Sequence, residues 1–181
     1  MKLERNFVGQ INLTAGVVDI TDPCYDGGTW CRMNNVRIKP GIYNCYSYIG
    51  ESKGWGKRVW INQIVIAHSD YTPSEDFDAE ETEAKIKSGR SWRRIGEIGV
   101  DAGLAGFFDR KPDFDDNEWD EICDWMSGEY THNPNNVRES YIDNFDNKDG
   151  FWTESGCGDG CYSVHAIRNN KRQIVALEIR F

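Results

Sequence analysis

The sequence predicts an α+β fold, a mostly antiparallel sheet that is sandwich-like or strongly curved and carries one or two inserted helices. Three observations predict it. Residues 41–68 and 161–181 each read as strand, turn and strand, and between them residues 115–128 carry helical spacing. No internal repeat or linker divides the chain, so residues 1–181 are read as a single domain, long enough to bury a core.

The elements follow in chain order. Phe7–Leu13 and Val17–Ile20 read as two short strands around a tight turn at Thr14-Ala15-Gly16, and Asp22-Pro23 stops the second. Pro40-Gly41 opens a strand over Ile42–Ile49, Gly50–Gly56 turns the chain, and Val59–Ala67 returns. Asp70–Glu83 then holds seven acids and no base, and Lys85–Arg94 holds five bases and no acid. Glu80–Lys87 fits a short helix with Glu–Lys pairs four apart, closed by Ser88-Gly89. Ile95–Asp109 is glycine-rich and reads as strand, close approach or bulge, and strand.

The strongest helix follows. Asp115 and Glu118 form a capping-box pattern, Gly128 stops the run, and Trp119, Ile122, Cys123 and Met126 make one apolar stripe. Residues 129–155 are polar and read as a long loop or broken helix. The closing hairpin is Cys161–Arg168, a turn at Asn169-Asn170-Lys171, and Arg172–Phe181, where Val175, Leu177, Ile179 and Phe181 alternate with Ala176, Glu178 and Arg180.

Charge narrows the function classes. The net charge of −9 disfavours direct binding to nucleic acid or an anionic membrane and suits a partner with a basic surface. Met1–Asn6 has no apolar stretch of the signal-peptide kind, and no run is long enough to span a membrane, so a cytoplasmic location is expected. Six cysteines in that setting are expected to be reduced thiols or metal ligands.

The acids of the helix concentrate the charge. Asp113, Asp115, Asp116, Glu118, Asp120, Glu121 and Asp124 stand in one run without a base. Twelve helical residues span roughly 18 Å, so the charges come about every 2.6 Å, within a factor of two of duplex DNA at about 1.7 Å. A solvated face is the plain alternative. Unpaired acids at this density repel one another, which a basic partner relieves.

Other constellations are thinner. Cys157 and Cys161 have the spacing of half a zinc site, and Cys24 with Cys31 is the best second half, although their six-residue gap is wide. Small buried or loop thiols are the competing reading, and no other cofactor is expected. Asp22, Asp101, Asp109 and Asp159 stand at strand ends or beside glycine, where carboxylates converge on Mg²⁺ or Ca²⁺ in phosphoryl-transfer sites, and where ordinary turns also place them. His68, His132 and His165 lie in no nucleophile–base motif.

Gly99-Val100-Asp101-Ala102-Gly103 with Asp109, Gly158-Asp159-Gly160-Cys161-Tyr162, and Asp22-Pro23-Cys24-Tyr25 together resemble an uncharacterised family of bacterial and phage proteins. Ser163 stands where that pattern often has Pro. This resemblance implies no activity. A general resemblance to small acidic phage inhibitors of host defence, Cas9 inhibitors among them, agrees with the charge, because Cas9 holds nucleic acid on Lys and Arg. The function expected is therefore a phage-encoded inhibitor, not an enzyme. It would bind a basic nucleic-acid-binding protein, a CRISPR nuclease of Cas9 type, through the acids of residues 113–124, with 75–83 as a second contact. The alternative is a metal-dependent hydrolase of a phosphorylated small molecule using Asp22, Asp101 and Asp159.

Overall fold

The structure, a computed structural model, describes residues 3–25, 28–52, 58–71, 91–109, 117, 120–121, 124, 140–145, 148–156 and 158–181. Its strands are β1 (Glu4–Leu13), β2 (Val17–Thr21), β3 (Met33–Arg37), β4 (Gly41–Ser52), β5 (Arg58–His68), β6 (Arg93–Val100), β7 (Leu104–Phe108), β8 (Ser140–Phe145), β9 (Lys148–Glu154), β10 (Gly160–Arg168) and β11 (Ile174–Arg180). They form two antiparallel sheets, one in the order β1-β4-β5-β11-β10-β6 and the other β3-β2-β7-β9-β8.

The expected α+β class is corrected to all-β. One sheet packs on the other, and that interface supplies the core that an inserted helix was expected to help build. Ile11, Tyr43, Ile64, Ile98, Val164 and Leu177 come from the first sheet, and Val18, Ile20, Phe107 and Phe151 from the second, all in one buried cluster. Among the described residues, helical backbone is confined to Asn117, Asp120, Glu121 and Asp124, and all four are exposed. The short helix read over 80–87 and the apolar stripe of Trp119, Ile122, Cys123 and Met126 lie outside the described residues.

Both predicted hairpins are present, as β4–β5 and β10–β11. The loop or broken helix read over 129–155 is corrected in its second half. There β8 and β9 pair antiparallel and place Phe151 and Trp152 fully inside.

Among the described strands, four connections carry the chain between sheets, and they occur as two clamped pairs. Residues 14–16 lead from β1 to β2 and residues 38–40 lead back, with Ile38 N donating to Gly16 O at 3.0 Å. Gly16 has φ of +71°, and a Cβ there would stand 2.9 Å from the Pro40 ring, so glycine serves both torsion and space. Residues 101–103 lead from β6 to β7 and residues 155–159 lead back, with Ser155 N donating to Gly103 O at 2.8 Å. The glycine-rich turn before the last hairpin is thus a corner of the sandwich. The Ser155 and Tyr162 hydroxyls each donate to Gly158 O at 2.6 Å to fix it.

Candidate functional site

Three of the seven acids assigned to the partner face are described. Asp120, Glu121 and Asp124 are exposed on helical backbone, and with Asn117 they keep the i, i+3, i+4, i+7 spacing of a single stripe. Asp113, Asp115, Asp116 and Glu118 lie outside the described residues, as does the second acidic candidate, 75–83. Asp70, at the start of the earlier acidic run, is ion-paired with Lys39, which pulls its carboxyl below the ordinary carboxylate range.

The carboxylates of the hydrolase alternative do not play equal parts. Asp22 is fully buried. Its Oδ2 accepts from Asp101 N and Ala102 N at 2.8 Å each, and its Oδ1 accepts from Cys24 N at 2.9 Å. Burial raises its pKa, and the three amides oppose that shift. The side chain therefore bolts the end of β2 to the corner at 101–103. Asp101 and Asp159 are exposed at one end of the first sheet, since Gly160 pairs with Val100. Asp109 directly follows β7, and its amide donates to Asp149 O at 2.8 Å.

Of the proposed zinc ligands, Cys24 is disulfide-bonded, which departs from the expected reduced state. Cys31 is a half-buried free thiol, Cys161 is an exposed one, and Cys157 lies outside the described residues. Among the described residues no group of three or more His, Cys, Asp or Glu is placed to hold a metal ion.

A polar feature that the sequence reading missed crosses the outer face of the first sheet. Register aligns Arg5, Tyr48, Gln63, Arg180, Ser163 and Glu97 in one row over all six strands. The neighbouring row holds Tyr46, Val65, Glu178, His165 and Arg94. Arg5 closes the β1 end, its guanidinium 5.2 Å from the Tyr46 ring centre. Glu178 is the centre of the cluster. It is fully buried, Arg180 Nη2 stands 2.9 Å from its Oε2 and His165 Nδ1 stands 3.9 Å away. Neither carboxylate oxygen gains an aligned hydrogen bond, nor does Gln63 Nε2.

Burial therefore dominates the titration of this cluster. It pushes Glu178 up to about 7 against the pull of Arg180. It also holds His165 down to about 4, aided by the charges of Arg180 and Arg94. Tyr48 is raised to about 12, chiefly by burial. A carboxyl that titrates near neutrality beside an imidazole can hold or release a proton, but this one has no exposed surface through which to meet a substrate. The signal for it was the unbroken run Ile174–Leu177, which marks a strand buried on both faces and so puts Glu178 inside.

The described residues contain no helix long and apolar enough to cross a membrane. Neither a curated protein nor a solved structure matches the chain. One family model does match, over residues 11–179 and so over both sheets, and the chain belongs to that family, DUF4241, described as a protein of unknown function.

Proposed function

We propose that this protein is a non-enzymatic binder of a basic protein surface, engaged through the acidic stripe of residues 113–124. The observation that carries the reading is the placement of Asp120, Glu121 and Asp124. All three are exposed and share one helical face in a chain of net charge −9. Such a face attracts a surface that ordinarily holds nucleic acid, and neutralising its self-repulsion favours the complex. The finer form of the proposal takes a CRISPR nuclease of Cas9 type as the target, inhibited by occupation of its nucleic-acid channel.

The test reverses Asp120, Glu121 and Asp124 to Lys together. Binding to purified guide-loaded Cas9, and its DNA cleavage, are then measured over a salt series. The unaltered protein binds and inhibits, less so as salt rises, and the triple variant does neither while keeping its far-ultraviolet spectrum. Binding by the triple variant at moderate salt overturns the acidic-face mechanism. Failure of the unaltered protein to bind Cas9, with salt-sensitive binding to another purified nucleic-acid-binding protein, overturns the finer form alone.

A further inference from the structure

A cavity of about 350 Å³ opens where three connections meet: the approach to β4, the end of β5 and the β10–β11 turn. Its volume falls in the range of small-molecule sites. Ile167 and Val175, both nearly buried, line it together with the half-buried Tyr71. Lys39, Arg168 and Lys171 also line it, against a single acid, Asp70. Asp70 is ion-paired with Lys39, so Arg168 and Lys171 supply a net positive charge in a chain of −9.

The walls are fixed by their own hydrogen bonds. Asn169 Oδ1 accepts from Lys171 N and Gln173 N at 3.0 Å each, and Asn169 Nδ2 donates to Gln173 Oε1 at 3.1 Å. Arg168 Nη1 donates to Arg172 O at 3.0 Å. On the other side His68 Nδ1 accepts from Asp70 N at 3.1 Å, which leaves the proton on Nε2, 3.2 Å from Pro40 O. Lys39 N donates to Ile174 O at 2.9 Å and ties the β4 approach to the hairpin. A site held in this way orders little on binding.

We infer that this cavity binds a small organic anion: an apolar ring against Tyr71, Ile167 and Val175, with a phosphate or carboxylate facing Arg168 and Lys171. A planar ring matches the apolar lining, and the guanidinium matches the forked geometry of either anion. The site lies apart from the acidic stripe, and its reading stands without that of the stripe.

Calorimetric titration with AMP, adenosine and inorganic phosphate tests it, with nuclear magnetic resonance of the Asn169, Asn170 and Gln173 side-chain amides. AMP is expected to bind and shift these amides, and adenosine and phosphate each to bind at least tenfold more weakly. The exposed double change Arg168→Gln and Lys171→Gln should lower AMP affinity at least tenfold, and Lys171→Glu alone should lower it in the same direction. No response to AMP at millimolar concentration overturns the inference. So does equal binding of AMP by the double variant, or phosphate binding as tightly as AMP.

Discussion

Arg180 Nη2 lies 2.9 Å from Glu178 Oε2, two residues away on the same face of β11, yet the arginine does not keep the buried carboxyl in its usual range. Desolvation of the charged form outweighs one arginine that is itself part-exposed.

Stability should therefore fall with rising pH on account of Glu178. Its folded pKa, about 7, lies above the ordinary 4.5, so between those values the folded chain binds the extra proton and stability declines as pH rises. The full effect is on the order of 3 kcal/mol. His165, held near 4 from 6.5, acts oppositely, and its contribution is lost as pH falls through that window. Replacing Glu178 with Gln should leave stability rising with pH, and its advantage over the unaltered protein should grow from pH 5 to 8. Urea unfolding across that range measures it, and a constant difference would mean Glu178 does not titrate there.

Asp22 accepts three backbone amides from two connections, so its loss leaves three donors without their acceptor. Asp22→Ala should cost about 3 kcal/mol or more, and Asp22→Asn, which keeps one acceptor oxygen, should cost less. Chemical denaturation of the two variants checks the order, and equal losses would sink the role given to the carboxylate.

Two glycines separate space from torsion. A Cβ on Gly106 would stand 2.6 Å from Phe151 O and 2.7 Å from Trp152 Cβ, where β7 meets β9. At Gly103, φ is +69° and nothing lies within 4 Å. We expect Gly106→Ala to cost about 3 kcal/mol by overpacking and Gly103→Ala about 1 kcal/mol by backbone strain. Asn at 103 should recover part of that loss, because Asn tolerates the left-handed region.

The free thiols should label in order of access. Cys161 is exposed, Cys31 is half-buried, and Cys45 is fully buried with its thiol pushed well up by desolvation. Maleimide modification followed by peptide mass analysis should find Cys161 first and Cys45 last. Early reaction at Cys45 would contradict its place in the core.

The hairpins were legible because alternation and turn residues are local signals. β4 with β5 and β10 with β11 needed nothing from the rest of the chain. The change of sheet at Gly16 and Gly103 was not legible, since a corner and a hairpin turn use the same residues, and only the partner strands distinguish them. β8 and β9 were hidden by their polar composition, and Trp152 is fully buried on a strand that shows no clean period. Of the candidate site, the acids were visible as a run, and helical spacing alone sets Asp120, Glu121 and Asp124 on one face opposite the apolar stripe, while their exposure comes from the structure. Alternation places Glu178 with Ala176 and Arg180 on the face opposite Val175, Leu177 and Ile179, and it cannot report that this second face is also covered.

The two pairs of corners have a consequence for how the molecule forms. Visited in chain order, the strands belong to the first sheet, then the second, the first, the second and the first again. Neither sheet can be finished from a continuous segment: the first joins strands from both ends of the chain, and the second joins β2 and β3 to β7, β8 and β9. Folding should thus be slow for a protein of this length and concerted, with β1 of the first sheet waiting on β4 and β6 waiting on β10. No fragment ending before β10 can seat β6 against its neighbour, so a chain cut there should behave as unfolded throughout and not as half a sandwich.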